Sequence, residues 1–212
     1  MGGDLTGYGA AILCGGQSRR MGFDKSLALR NPEGRLLLAA LAGELAGCFG
    51  EVALITNDLA KLAPLTELTP FRWAEDLHPG AGPAGGIHTA LKALPGRQVF
   101  VMACDMPVID WAVIGRLRAL LEESRADAAA PRHGRFQEPL YAFYAPEAEP
   151  VFQNAVNRGR LAVWSLLSLL NTAYLDLQEQ DLAGGLFRNI NTPADLRRAG
   201  LPSPESEGGD GT

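Results

Sequence analysis

The chain has 212 residues, 47% of them hydrophobic and 20% charged, the balance of an ordinary globular protein long enough to bury a large core. A formal net charge of −5 excludes a general nucleic-acid binder, which needs a basic surface, but leaves room for a local basic pocket that takes a small anion. Cys14, Cys48 and Cys104 lack the spacing of a disulfide framework or a zinc site, no apolar run is long enough to span a bilayer, and no secretory signal opens the chain, so a cytoplasmic protein with reduced thiols is expected.

Residues 10–14 form a short apolar run ending on a glycine pair, the pattern of a buried parallel strand feeding a loop. Residues 36–48, rich in Leu and Ala, read as a helix, 51–56 as the second strand, and 58–65 as a short helix closed by Pro64. A weak third strand over 71–74 leads into a Gly/Pro loop, 78–86, and a helix, 87–94. Residues 98–103 are the strongest strand, and 110–124 an amphipathic helix that stops where Asp127 begins another strand. A strand over 139–144, helices over 148–157 and 161–170, a strand over 173–177 and a helix over 192–199 complete the series. The alternation predicts a three-layer α/β domain around a mostly parallel sheet, spanning 1–200, with 201–212 a disordered tail rich in Pro, Ser, Glu and Gly. Ligands of such sheets sit outside the carboxyl ends of the strands, so the loops after Leu13, Thr56, Ala74 and Ala103 should meet at one site.

The first of these loops runs Cys14-Gly15-Gly16-Gln17-Ser18-Arg19-Arg20-Met21-Gly22-Phe23-Asp24-Lys25. Glycines let backbone N–H groups approach a triphosphate closely, and Arg19, Arg20 and Lys25 offset its charge. It is not a Walker A loop, because no Gly-Lys-Ser/Thr follows at the required spacing. Asp105, in Cys104-Asp105-Met106-Pro107 after the strongest strand, is a natural Mg²⁺ ligand; its alternative role is a turn or helix cap. Asp76 ends the third strand in the same way, the alternative being a solvated loop carboxylate. Gly80-Ala81-Gly82-Pro83-Ala84-Gly85 is a literal G-x-G-x-x-G, yet it follows no first strand and contains Pro83, so a tight loop approaching a base or ribose is the better reading. His133-Gly134-Arg135 and Asn157-Arg158-Gly159-Arg160 are basic turns that are either ordinary surface charge or a second anion pocket. In Asn189-Ile190-Asn191-Thr192-Pro193, Thr192 and Pro193 suit a helix entry, which leaves Asn189 unexplained. His78, His88 and His133 show no metal-ligand spacing.

The first loop closely resembles L-x-G-G-x-S-x-R-M-G-x-D-K, the signature of the molybdenum cofactor guanylyltransferase family, also called molybdopterin-guanine dinucleotide biosynthesis protein A. The likeness continues through Asp76 with Gly82-Pro83-Ala84-Gly85-Gly86, Cys104-Asp105-Met106-Pro107, Glu138-Pro139-Leu140-Tyr141-Ala142 and Phe187-Arg188-Asn189-Ile190-Asn191-Thr192-Pro193, so it covers nearly all of residues 8–200. It implies a Rossmann-like nucleotidyltransferase that binds GTP and Mg²⁺, attaches GMP to the terminal phosphate of molybdopterin, releases pyrophosphate, and works beside molybdoenzyme-maturation proteins. Carried onto this chain, Leu13, Cys14, Gly15 and Gly16 would contact the nucleotide, Lys25 and Arg19 its phosphates, Asp76 the guanosine end, and Asp105 the metal. Asn189 and Asn191 would face the pterin, with Arg160 in the acceptor's anion pocket. In two places the chain departs from the pattern: Ile55 stands where some members have a nucleotide-contacting Asn, and Gly85-Gly86 replaces the Leu-Ala-Gly order. The rival readings are a cytidylyltransferase acting on the same pterin, a sugar-phosphate nucleotidyltransferase, and a non-catalytic GTP-binding module that delivers cofactor.

Overall fold

The computed structural model describes residues 4–14, 29–62 and 64–202, which fold around an eight-stranded mixed sheet. Strands β1 (Leu5–Leu13), β2 (Phe49–Thr56), β3 (Arg72–Glu75) and β4 (Val99–Ala103) lie in the order β3-β2-β1-β4 and all run parallel. Strands β1, β2 and β4 are apolar along their middles because both faces are covered: Ile12, Leu54, Phe100 and Met102 face one core, while Leu13, Ile55, Val99 and Val101 face the other.

Helices α1 (Leu37–Ala46), α2 (Leu59–Leu62), α3 (Gly82–Ala93), α4 (Trp111–Ser124), α5 (Glu149–Asn157), α6 (Val163–Leu167), α7 (Glu179–Leu182) and α8 (Pro193–Arg198) complete the regular elements. Helices α1 and α4 cover the first core, α4 through the stripe Val113, Ile114, Leu117 and Leu121; α3, α5 and α6 cover the second. The start of α4 is fixed by Asp110, whose Oδ1 accepts the N–H groups of Ala112 (2.9 Å) and Val113 (3.0 Å). Thr192 caps α8 through the Asp195 N–H (3.2 Å), with Pro193 in the first turn, as its residue types dictate.

In the second half, β5 (Ala128–His133), β6 (Phe136–Gln137), β7 (Tyr141–Tyr144) and β8 (Thr172–Asp176) extend the sheet beyond β4. Strand β7 runs against β4, so the sheet is parallel only in part. The reason is the tight β5–β6 hairpin turning at Gly134 (φ 56°), which returns the chain without the helix that a parallel crossover requires. Strands β6 and β7 share one edge of β5, with Ala128 opposite Tyr144 and Arg132 opposite Gln137, while β8 takes the other edge.

Other differences from the sequence reading have local causes. The segment 78–86 is not all loop: α3 begins at Gly82, since Pro83 suits a first helical turn and the following glycines pack closely. The helix expected over 161–170 is confined to Val163–Leu167. Strand β6 has only two residues and α7 only four, too short for any period to register. Strand β1 starts at Leu5, its outer half being too polar to read as buried. Leu201, placed in the tail, bonds through its N–H to Leu196 (3.0 Å) and packs on the first core; the tail beyond Pro202 lies outside the described residues. No helix among the described residues is long and apolar enough to cross a membrane.

The β1–β2 pairing demands a glycine at one point: a Cβ on Gly50 would overlap the backbone carbonyl of Thr6. Gly43, inside α1, has nothing within 4 Å of that position. Gly50→Ala is therefore expected to lower the melting temperature by about 3–10 °C, the scale of overpacking a well-fitted site. Gly43→Ala should raise it slightly, since alanine is favoured over glycine within a helix by about 0.5–1 kcal/mol. Thermal melts of the two variants check both directions.

Candidate active site

The carboxyl ends of the four parallel strands are tied together by backbone bonds that continue the sheet into the loops. The Cys14 N–H donates to Ile55 O (2.7 Å), the Asp76 N–H to Thr56 O (2.7 Å), and the Cys104 N–H to Leu13 O (3.1 Å). The loops after β1, β2, β3 and β4 thus meet along one edge, with Cys14, Asp76 and Asp105 spaced across it. Leu13 (7% exposed) and Cys14 (8% exposed) are buried, Cys14 directing its thiol at Ile12 O (3.4 Å). Gly15, Gly16, Arg19 and Lys25 lie outside the described residues.

Asp76 is buried, not solvated, at 7% exposure. Its Oδ1 accepts the His78 N–H (3.0 Å) and lies 3.0 Å from the Thr89 hydroxyl on α3. That hydroxyl also accepts the Leu77 N–H (3.0 Å) and lies 2.9 Å from Gly85 O. A Cβ on Gly85 would stand 3.2 Å from Asp76 Oδ1, and one on Gly86 3.1 Å from Leu13 Cδ1, so these glycines let α3 close against the end of β1 and the loop after β3. They serve packing between protein segments, a relation that the residue types alone do not show.

Asp105 stands in the turn after β4, half-buried. Capping of α4 falls to Asp110, which removes that alternative for Asp105. The Asp105 carbonyl accepts the N–H of Ile190 (2.9 Å), and Ile190 is fully buried. This bond brings the segment 189–191 from the far end of the chain to the carboxyl edge, with Asn189 and Asn191 exposed on either side of the buried Ile190. The Asn191 N–H donates to Asp195 (3.1 Å); the Thr192 hydroxyl and that N–H hold the Asp195 carboxyl below its ordinary value. Arg160 is exposed in the turn between α5 and α6, its N–H returning to Ala155 O (2.8 Å). No group of three or more His, Cys, Asp or Glu able to cage a metal occurs among the described residues.

The chain matches the MobA-like NTP transferase domain over residues 10–173. It belongs to that family. A molybdenum cofactor guanylyltransferase of Syntrophotalea carbinolica is 34% identical over 193 residues, covering 89% of each chain. The crystal structure of molybdopterin-guanine dinucleotide biosynthesis protein A from Archaeoglobus fulgidus superposes with a TM-score of 0.77 at 30% identity, over 90% of this chain and 96% of that one. The bifunctional IspDF of Campylobacter jejuni shares the fold at 14% identity, with a TM-score of 0.71 over 96% of this chain and 56% of its own. The chain is a nucleotidyltransferase.

Within this MobA-like domain, Ile55 is 2% exposed and packs in the second core, and its carbonyl accepts the Cys14 N–H. One feature of the site left no trace in the sequence. The rings of His78 and His88 meet at 2.9 Å, and His88 Nε2 lies 2.8 Å from Glu149 Oε1, which also takes Lys92 Nζ (3.1 Å). This chain pins the loop after β3 to α3 and α5 through residues 61 positions apart.

Burial pushes the His88 imidazole below its ordinary value, outweighing the pull of Glu149. Burial pushes the Glu149 carboxyl up, but bonds from His88 and Lys92 outweigh it and hold the group below its ordinary value. Both shifts have one sign: the stability they carry is complete above the unfolded values and is lost as pH falls through the folded ones. The His88 part is thus lost below about pH 6.5, before that of Glu149. The melting temperature should fall between pH 7 and pH 5, and His88→Gln, which cannot titrate, should flatten the upper part of that decline. An unaltered pH slope in the variant would place the titrating group elsewhere.

Proposed function

We propose that the chain transfers GMP from GTP to the terminal phosphate of molybdopterin, releasing pyrophosphate and giving the guanine dinucleotide form of the cofactor. The observation that carries the reading is the convergence of Leu13, Cys14, Asp76, Asp105 and the 189–191 segment on one sheet edge, in a chain whose relatives at about a third identity bear that activity in their names. In this reading Leu13, Cys14, Gly15 and Gly16 border the nucleotide, Asp76 and its loop the guanosine end, and Lys25 and Arg19 the phosphates. Asn189, Asn191 and Arg160 serve the acceptor.

The residues fit Mg²⁺. A single half-buried carboxylate, Asp105, with no cage around it among the described residues, suits an ion commonly held by one or two carboxylates plus substrate phosphates. When bound there it would offset phosphate charge. The acceptor's phosphate oxygen attacks the α-phosphorus in line, the α–β bridging bond breaks, and pyrophosphate leaves opposite. A phosphate oxygen is already ionised, so no general base is required. The chain's work is to hold the two phosphates in line and neutralise charge, which is where such reactions gain most of their rate.

Pyrophosphate release with molybdopterin and each of four nucleoside triphosphates tests the reading: GTP should support turnover and CTP far less. Equal or greater turnover with CTP would assign the chain to cytidylyl transfer, and nucleotide binding without pyrophosphate release would make it a delivery module.

Asp105→Asn should keep the fold, since its carbonyl bond to Ile190 and the Asp110 cap are untouched. Turnover should fall at least about 100-fold, because a neutral amide replaces an anionic ligand of a hard cation. Circular dichroism checks the first half and pyrophosphate release at varied Mg²⁺ the second; near-normal activity with unchanged Mg²⁺ dependence would make Asp105 a turn residue.

A further inference from the structure

The proposed reading puts the guanosine end of the nucleotide beside Asp76 but leaves open what aims that carboxylate. Its two oxygens are treated differently. Oδ1 accepts the His78 N–H (3.0 Å) and lies 3.0 Å from the Thr89 hydroxyl. Oδ2 has no partner among the described residues. Nor is it sealed from solvent: the sealed side-chain atoms without a partner among those residues are Arg30 Nη1 and Gln137 Oε1. A carboxylate has room for about four donors, and here the protein supplies two, both on one oxygen. The other oxygen of this buried residue stays open at the edge where the loops meet.

Thr89 decides which oxygen that is. Its hydroxyl has a single proton and three neighbours. The Leu77 N–H (3.0 Å) is a donor, so the hydroxyl accepts there. Gly85 O (2.9 Å) and Asp76 Oδ1 compete for the proton. Both Gly85 and Thr89 lie in α3, where the carbonyl of residue 85 takes the N–H of residue 89 in the helix ladder. The carboxylate has no such claim on it, and a charge-assisted bond is roughly twice as strong as a neutral one. The proton therefore goes to Asp76. Drawn by this bond and by the His78 N–H, Oδ1 turns toward α3 and Oδ2 turns away from it.

The far end of the same short loop is tied down by the preceding helical residue. His88 meets the His78 ring at 2.9 Å and is held in turn by Glu149 at 2.8 Å. Neighbouring buried side chains on α3 thus divide the work: His88 anchors the loop, and Thr89 orients the carboxylate. Thr89 is buried behind Asp76, so it acts on a nucleotide only through that residue.

We infer that Thr89 is a positioning residue for the nucleoside: its hydroxyl holds Asp76 Oδ1 so that Oδ2 faces the bound guanosine and accepts its N–H or O–H donors. This rests on the proposed placement of guanosine beside Asp76.

The test is calorimetric titration of GTP, with Mg²⁺, into the full chain carrying Thr89→Val, Thr89→Ala, Thr89→Ser, Asp76→Ala, or Asp76→Ala combined with each hydroxyl-deleting change. Circular dichroism checks each fold. Thr89→Val keeps the shape and removes the hydroxyl, and Thr89→Ala removes it while favouring the helix; each should weaken GTP binding about tenfold. Thr89→Ser, which retains the hydroxyl, should bind within about threefold of the wild type. On the Asp76→Ala background the loss of the hydroxyl should cost almost nothing more, because no carboxylate is left to orient. An equal loss on both backgrounds would overturn the inference and make Thr89 a packing residue whose removal loosens α3. Unchanged GTP affinity without the hydroxyl, where Asp76→Ala alone weakens binding, would overturn it as well. If Asp76→Ala binds GTP as tightly as the wild type, the placement of guanosine beside Asp76 falls, and this inference with it.

Discussion

The site depends on the parallel register of β3, β2, β1 and β4. Because all four run in one direction, all four loops leave at one edge, and the backbone ladder does not stop where the strands do. The Cys14, Asp76 and Cys104 N–H groups each find a carbonyl on the neighbouring strand, so the first residue or two of each loop is held as firmly as the strand before it. A carboxylate placed there is fixed in space without a dedicated scaffold of side chains. That frame leaves Asp105 half-exposed and Asp76 buried within the protein.

The two aspartates occupy equivalent positions at strand ends yet have different surroundings. Asp76 turns into the loop it begins, where the His78 N–H and the Thr89 hydroxyl reach it and Gly85 leaves room for the approach. Asp105 instead offers its carbonyl to Ile190, and through that bond a segment more than eighty residues later in the chain is set beside the β4 turn. A buried isoleucine anchors the segment and two exposed asparagines flank it, so its placement comes from apolar burial and its chemistry from its neighbours.

Beyond β4 the sheet changes character. The β5–β6 hairpin and β7 form an antiparallel wall that rises past the carboxyl edge, braced by Arg132–Asp176 on one face and by His133 between Glu138 and Phe187 on the other. The parallel half supplies loops that converge, and the antiparallel half a wall beside them. A nucleotidyltransferase needs both, because two phosphate-bearing substrates must be held end to end.

Local pattern carried a large part of this. The apolar runs of β1, β2 and β4 are legible because a strand buried on both faces must be continuously apolar, and α4 because its stripe recurs at helical spacing. The helix cap at Thr192, and the residue types at Cys14, Asp76 and Asp105, follow from neighbours within a few positions. The chain alone thus determined the α/β class, the strand ends whose loops converge, and the family its motifs resemble. What it could not contain were relations between distant residues. The His78–His88–Glu149 chain, the Ile190 bond to Asp105, and the Arg132–Asp176 pair each join positions separated by strands and helices. The assignment of Gly85 and Gly86 to packing, and the reversal of β7, were likewise decided only when the helices closed on the sheet. Periodicity reports which face of an element is buried; which groups then meet is settled by topology and register, and those exist only in the folded molecule.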